Sequence, residues 1–284
     1  MIAVRRFFLR ALLVLVAGYL LVVAAAFTFQ RSLLYFPTPT VAAPEPAGPP
    51  MQVVQLTTQD RQRLVAWYLP PQAGRPVILF FSGNGDTLIG QTDRWREIAG
   101  AGVGVLAVAY RGYSGSSGHP TEAGLYQDAE AAYAWLAARH PAEDIVIHGH
   151  SLGSGVAVRL AAGHPARALI LEAPFTSAVD VAAERYPWLP TRLLMWDRYD
   201  SMVWIRRVRM PILVVHGDAD AVIPFAQGQA VFARANAPKS FVRIAGGGHD
   251  DLPALGLYGH IWRFLDTPAL NSSAPHLSPA PARP

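Results

Sequence analysis

Ile145-Val146-Ile147-His148-Gly149-His150-Ser151-Leu152-Gly153 is the stretch whose reading decides the fold. Ile145–His148 has the length and apolar character of a buried strand. Gly149–Gly153 then fits the pattern G-x-S-x-G, and Leu152–Ala162 continues as a helix. Strand, sharp turn and helix form the setting this motif needs. The serine sits on a strained turn with its Oγ exposed at the strand end, beside a helix N-terminus. The residues two before and two after it crowd together, and only glycine lacks the Cβ that would clash.

Working outward, the same alternation repeats. Val53–Thr57, Leu64–Leu69, Val77–Phe81, Val103–Ala109, Ala168–Leu171, Ile212–Val215 and Phe241–Ile244 read as strands. Thr92–Ala99, Thr121–Arg139, Phe225–Ala235 and Tyr258–Leu265 read as helices. Alternation over this length predicts an α/β fold, a mostly parallel central sheet with helices on both faces. Ligands bind such sheets at the carboxyl ends of the strands. The loops after Phe81, Ala109, His148, Leu171, Val215 and Ile244 are therefore the ones to search.

A serine hydroxyl is a weak nucleophile, needing a base and an acid that orients the base. In this kind of fold the chain order is Ser, then Asp or Glu, then His. Asp220 lies in His216-Gly217-Asp218-Ala219-Asp220, past one strand, and His249 in Gly246-Gly247-Gly248-His249-Asp250, past another. Asp218 is the rival acid; Asp220 is preferred because the extra residues let its carboxylate reach back toward the histidine. His148 and His216 end strands and read as structural, and His150 is expected to point away from the Ser151 Oγ. Two backbone N–H groups should hold an oxyanion. One is Leu152; the other comes from Ser82-Gly83-Asn84-Gly85-Asp86, with Asn84 chosen and Gly85 as alternative. No His/Asp/Glu spacing suggests a metal, Gly102-x-Gly104 lacks the third glycine of a dinucleotide fingerprint, and no cofactor is expected.

The chain has 284 residues, 51% of them hydrophobic and 15% charged, and no cysteine. Disorder throughout, disulfide scaffolds and cysteine nucleophiles are excluded. Four of its 24 basic residues, Arg5, Arg6, Arg10 and Arg31, precede any acid, so the remainder balances the 20 acidic residues. A neutral body gives no electrostatic case for nucleic acid.

Ala11–Phe29 carries no charge across 19 residues. As a helix it would reach about 28 Å, close to the hydrocarbon thickness. The arginines before it predict a cytoplasmic N-terminus and a single-pass protein whose body lies on the extracytoplasmic side, periplasmic in a bacterium. A cleaved signal ending at Ala24-Ala25-Ala26, or a twin-arginine signal in Arg5–Arg10, is the rival reading. Leu33-Leu34-Tyr35-Phe36 is expected at the membrane interface. The organisation expected is thus an anchor or signal over 1–36, a Pro/Ala-rich linker over 37–51, a catalytic domain over 52–266 and a disordered tail over 267–284. Pro174–Val208 reads as a small cap over the strand ends. Its aromatic residues, among them Phe175, Trp188 and Trp196, suit an apolar acyl chain.

Five further segments join the elbow in one resemblance. They are Tyr110-Arg111-Gly112-Tyr113-Ser114-Gly115, Gly118-His119-Pro120-Thr121-Glu122, Glu172-Ala173-Pro174-Phe175-Thr176, His216–Pro224 and Gly248-His249-Asp250-Asp251. With them the chain resembles membrane-anchored serine hydrolases of the α/β-hydrolase superfamily. More narrowly, it is similar to the group that includes the eukaryotic α/β-hydrolase-domain depalmitoylases and their bacterial relatives. The resemblance implies the α/β-hydrolase fold and a triad at Ser151, Asp220 and His249, with the Arg111–Gly115 loop shaping the pocket floor. Two departures matter. The oxyanion loop begins Ser82-Gly83 where the family often has His-Gly, and the lipidated N-terminal cysteines of the depalmitoylases are missing. The palmitoyl-protein substrate is therefore not carried over. The activity expected is hydrolysis of an acyl ester or thioester near a membrane. A peptidase or amidase with the same triad, and a non-catalytic binding protein on this fold, are the alternatives.

Overall fold

The computed structural model describes residues 2–38 and 43–267. Eight strands run in chain order as β1 (Gln52–Thr57), β2 (Arg63–Leu69), β3 (Val77–Phe81), β4 (Gly104–Val108), β5 (Ile145–His150), β6 (Ala168–Glu172), β7 (Ile212–Gly217) and β8 (Lys239–Ile244). They form one sheet in the order β1-β2-β4-β3-β5-β6-β7-β8. β1 and β2 pair antiparallel, β2 meets β4 antiparallel, and every later pairing is parallel.

The central strands are solidly apolar because both of their faces are covered. Val77, Leu79 and Phe81 of β3 join one core, and Ile78 and Phe80 the opposite one. The same period of two sorts Leu106 from Ala107 on β4 and Ile147 from Val146 on β5. The first core is closed by α4 (Glu122–Ala137), α5 (Leu152–Ala161) and α9 (Phe225–Arg234). The second is closed by α3 (Thr92–Gly100) and α10 (Leu257–Leu265). Thr121 caps α4 by accepting from the Gly124 N–H at 3.0 Å, which starts that helix where the sequence placed it.

The cap stretch is less irregular than its sequence suggests. It holds α6 (Ala178–Arg185), α7 (Thr191–Leu194) and α8 (Ser201–Trp204). Ser177 caps α6 and Asp200 caps α8 through their side-chain oxygens.

Two helices precede the sheet. α1 (Ile2–Thr28) is long and apolar enough to cross a membrane, and none of its span is buried in the protein. α2 (Gln30–Leu34) follows after one residue. Here one expectation needs correction. Tyr35 does not lie at an interface; it is 3% exposed and belongs to the core, where its hydroxyl meets Asp197 and Tyr199. The segment read as an extended linker carries no helix or strand on its described part, and it touches the body where Glu45 pairs with Arg96 and Met51 is buried. Residues 39–42 of that segment, and the expected tail beyond Thr267, lie outside the described residues.

Candidate active site

Ser151 sits between β5 and α5 at φ 52°, ψ −121°, a region side chains rarely occupy. The turn that forces it is sterically closed. A Cβ on Gly149 would strike the Gly153 carbonyl, and one on Gly153 the Phe81 carbonyl. The strand end is held on the other side by the Ser151 N–H, which donates to the Glu172 carbonyl at 3.0 Å. The serine is only 9% exposed, at the floor of a cavity.

Three side chains meet there. The Ser151 Oγ lies 2.9 Å from His249 Nε2, and His249 Nδ1 lies 2.8 Å from Asp220 Oδ2. The other Asp220 oxygen accepts from the Val222 and Ile223 N–H groups, each at 2.8 Å. An ionised carboxylate only accepts, so Nδ1 carries the proton and Nε2 faces the serine as the acceptor. Burial pushes the Asp220 carboxyl up. The bonds from His216, His249 and the Ile223 N–H outweigh it and hold the group well below the ordinary carboxylate range.

His216 is a partner that sequence reasoning set aside. Its Nε2 lies 3.0 Å from the Ile223 carbonyl and 3.3 Å from Asp220 Oδ2, so it backs the acid from the strand side. Asp218 faces elsewhere, bonded to Arg243 and to the Gly246 N–H. His150 turns away from the Ser151 Oγ. Its Nδ1 is 3.6 Å from Asp86 and its Nε2 is 3.3 Å from the His249 carbonyl.

Leu152 and Asn84 line the cavity beside Ser151. The Gly83 N–H is spent on Asp86 Oδ2 at 2.8 Å, while no acceptor takes the Asn84 N–H among the described residues. The Asn84 side chain is fixed three ways: it accepts from the Phe36 N–H and the Tyr113 hydroxyl and donates to the Leu34 carbonyl. The Arg111–Gly115 loop, expected at the pocket floor, is off the described cavity lining and braces the Ser82–Asp86 loop instead. Tyr113 holds Asn84, the neighbouring Tyr110 hydroxyl donates to the Ser82 carbonyl, and Arg111 is engaged by Asp60 and Asp128.

The cavity measures about 910 Å³. Phe175, Trp188, Leu189, Leu194 and Met195 line it from the cap side, with Val222 and Ile223 near the acid. Trp196, expected there, is off the lining. It packs edge-on against Phe27 at 5.0 Å, with the Arg31 guanidinium over its ring at 5.2 Å. Residues of α1, α2 and the turn between them take that wall instead, Phe29 and Leu33 among them. Arg185 is the one charged side chain on the described lining, and no carboxylate lies on it.

Beside the elbow lies a buried network of which the sequence marked Glu172 and His148 but not Arg94 or Tyr258. Arg94 of α3 donates bidentately to Glu172 at 2.8 and 3.0 Å and reaches the Tyr258 hydroxyl at 3.1 Å. His148 Nε2 lies 3.1 Å from the same carboxylate. Burial opposes ionisation of Glu172, yet Arg94 and the two nearby histidines hold its carboxyl far below the usual range. The signal in the sequence was a glutamate ending an apolar strand, in Leu169-Ile170-Leu171-Glu172.

The family described as serine aminopeptidase, S33, matches residues 72–197. An uncharacterised protein of Mycobacterium tuberculosis is 39% identical over 270 residues, covering 90% of this chain and 95% of its own. The human alpha/beta hydrolase domain-containing protein 17B is 31% identical over 205 residues, covering 71% of this chain and 70% of its own. Among solved structures, an esterase of Pyrococcus furiosus superposes with a TM-score of 0.65 at 17% identity. That match spans 81% of this chain and 97% of the esterase, and is a likeness of fold.

Proposed function

The chain belongs to the α/β-hydrolase superfamily, and from that premise we propose that it is a serine hydrolase that cleaves a carboxylic ester or thioester of an apolar acyl chain at a membrane. The observation that carries this is the unbroken run Ser151–His249–Asp220 on the floor of an apolar cavity.

The mechanism follows from the donors and acceptors. Ser151 Oγ attacks the acyl carbonyl carbon while His249 Nε2 takes its proton. Asp220, kept ionised by its donors, fixes the imidazole tautomer and stabilises the imidazolium. The Leu152 and Asn84 N–H groups hold the oxyanion. The intermediate collapses, and the leaving alcohol or thiol takes the proton from His249. Water then attacks the acyl-enzyme with His249 again as base, releasing the carboxylic acid and restoring Ser151.

An aminopeptidase is the second reading, because the matching family carries that description. Such an enzyme must neutralise a free ammonium group at the substrate's amino terminus. The described lining offers Arg185 and no carboxylate, the wrong charge for that task. The apolar lining favours the ester. α1 serves as a retained anchor, with the body on the extracytoplasmic side.

The test is fluorophosphonate labelling of the full chain beside Ser151→Ala, then turnover of p-nitrophenyl esters and of aminoacyl p-nitroanilides. Labelling lost in the variant with ester turnover supports the reading. Anilide turnover without ester turnover replaces it with a peptidase. A folded wild type that takes no label overturns it in favour of a binding role.

A further inference from the structure

Val22, Ala25, Ala26, Phe29, Leu33 and Phe36 all line the cavity that holds Ser151. Val22, Ala25 and Ala26 stand at i, i+3 and i+4 on α1, one helical face with Phe27 beside it, while Phe29 lies in the turn that follows, Leu33 on α2 and Phe36 beyond α2. In a stretch apolar on every side that face is invisible to sequence reasoning; packing reveals it. Among the described residues, 2–21 contribute nothing to the lining.

Residues 19–36 are fastened to the stretch 174–208 and to the Ser82–Asp86 loop by polar bonds. The Tyr19 hydroxyl donates to the Trp188 carbonyl at 2.9 Å. Gln30 accepts from the Trp196 N–H at 2.8 Å, and Arg31 pairs with Asp197 at 3.0 Å. The Leu34 carbonyl at the end of α2 and the Phe36 N–H just beyond it hold the Asn84 side chain. Of the residues lining the cavity, Trp188, Phe29, Leu33 and Phe36 are all at least half exposed. This apolar rim is continuous with the helix that has the length to enter a bilayer.

Building on the hydrolase reading above, we propose that residues 22–36 are a substrate-binding element: the anchoring helix forms one wall of the acyl channel. A long-chain acyl ester held in the bilayer slides along α1 into the cavity and presents its carbonyl to Ser151 without its chain crossing water. Two consequences follow. The helix is retained, since cleavage after Ala26 would remove part of the wall. The residues lining that wall also set the acyl-chain length.

The experiment uses the full chain in phosphatidylcholine vesicles and a fluorophosphonate bearing a sixteen-carbon chain with a terminal diazirine. The phosphonate reports Ser151 and the photolysed diazirine reports what the chain touches. Crosslinks mapping to residues 22–36 are the expected result; crosslinks confined to the cap or body overturn the proposal. A wild type unlabelled at Ser151 would instead defeat the hydrolase reading on which it rests. As a second measurement, Ala26→Trp is expected to lower the ratio of p-nitrophenyl palmitate to butyrate turnover by about tenfold or more, by filling the channel. Leu15→Trp, on the part of α1 outside the cavity, leaves the ratio at the wild-type value. An unchanged ratio in Ala26→Trp, with Ser151 still labelled, overturns the proposal as well.

Discussion

Asp218 and Asp220 stand two residues apart on one loop and meet different partners. Asp220 reaches His249, while Asp218 is taken by Arg243 and the Gly246 N–H. Asp220→Asn is expected to lower kcat by roughly 10³–10⁴-fold, because the amide no longer fixes the imidazole tautomer. Asp218→Asn should cost about tenfold or less, since it touches none of the reacting groups. Steady-state kinetics on a short ester separate the two. His150 gives a prediction in pH. Burial lowers its pKa, but Glu172 and Asp86 outweigh burial and raise it. A raised histidine stabilises the fold fully below its unfolded value, about 6.5, and the contribution fades as pH rises through the folded value. Asp86→Asn should therefore lower Tm more near pH 6 than near pH 8, read from melting curves at about those two values.

At the scale of elements, the elbow rests on a charge shared by four of them. Glu172 of β6, Arg94 of α3, His148 of β5 and Tyr258 of α10 converge with Arg94 and Glu172 almost wholly buried. Such a pair is a poor source of net stability, yet breaking it strands a charge. Glu172→Gln leaves the Arg94 guanidinium without a counter-charge, and the expected cost is about 3–5 kcal/mol in urea unfolding. The pH sign follows from the lowered Glu172 carboxyl: its contribution is present above the ordinary carboxylate value and is lost as pH falls through the depressed one. Because the Glu172 carbonyl also accepts from the Ser151 N–H, the variant should lose activity at denaturant concentrations where the wild type remains active.

For the whole molecule, the N-terminal segment and the hydrolase body fold as one packing problem. Tyr35 is a core residue, and its hydroxyl joins Asp197 to Tyr199. Removing residues 1–36 takes Tyr35 out of the core and opens one side of the cavity. The truncated chain is therefore expected to melt lower than the full chain, and to lose palmitoyl ester turnover more than butyryl turnover. Calorimetry and ester kinetics on both forms check this. An intact chain-length profile after truncation would show that the body alone carries the acyl pocket.

What the sequence determined by itself was local or periodic. Solid apolar strands alternating with helices specify a doubly covered sheet, because each strand face must be buried. Glycines at 149 and 153 specify the elbow, because backbone there approaches backbone. Chain order made Asp220 and His249 candidates, since the strand ends that carry them lie at one edge of a parallel sheet. The tertiary structure decided what depends on directions across long gaps in the chain. It put Tyr35 in the core, turned Trp196 toward Phe27, set His216 behind Asp220 and gave one face of α1 to the cavity. A helix apolar on every side carries no mark of which side will meet protein and which lipid. Only the position of a partner surface breaks that symmetry, and the partner here is a cap more than 150 residues away in the chain.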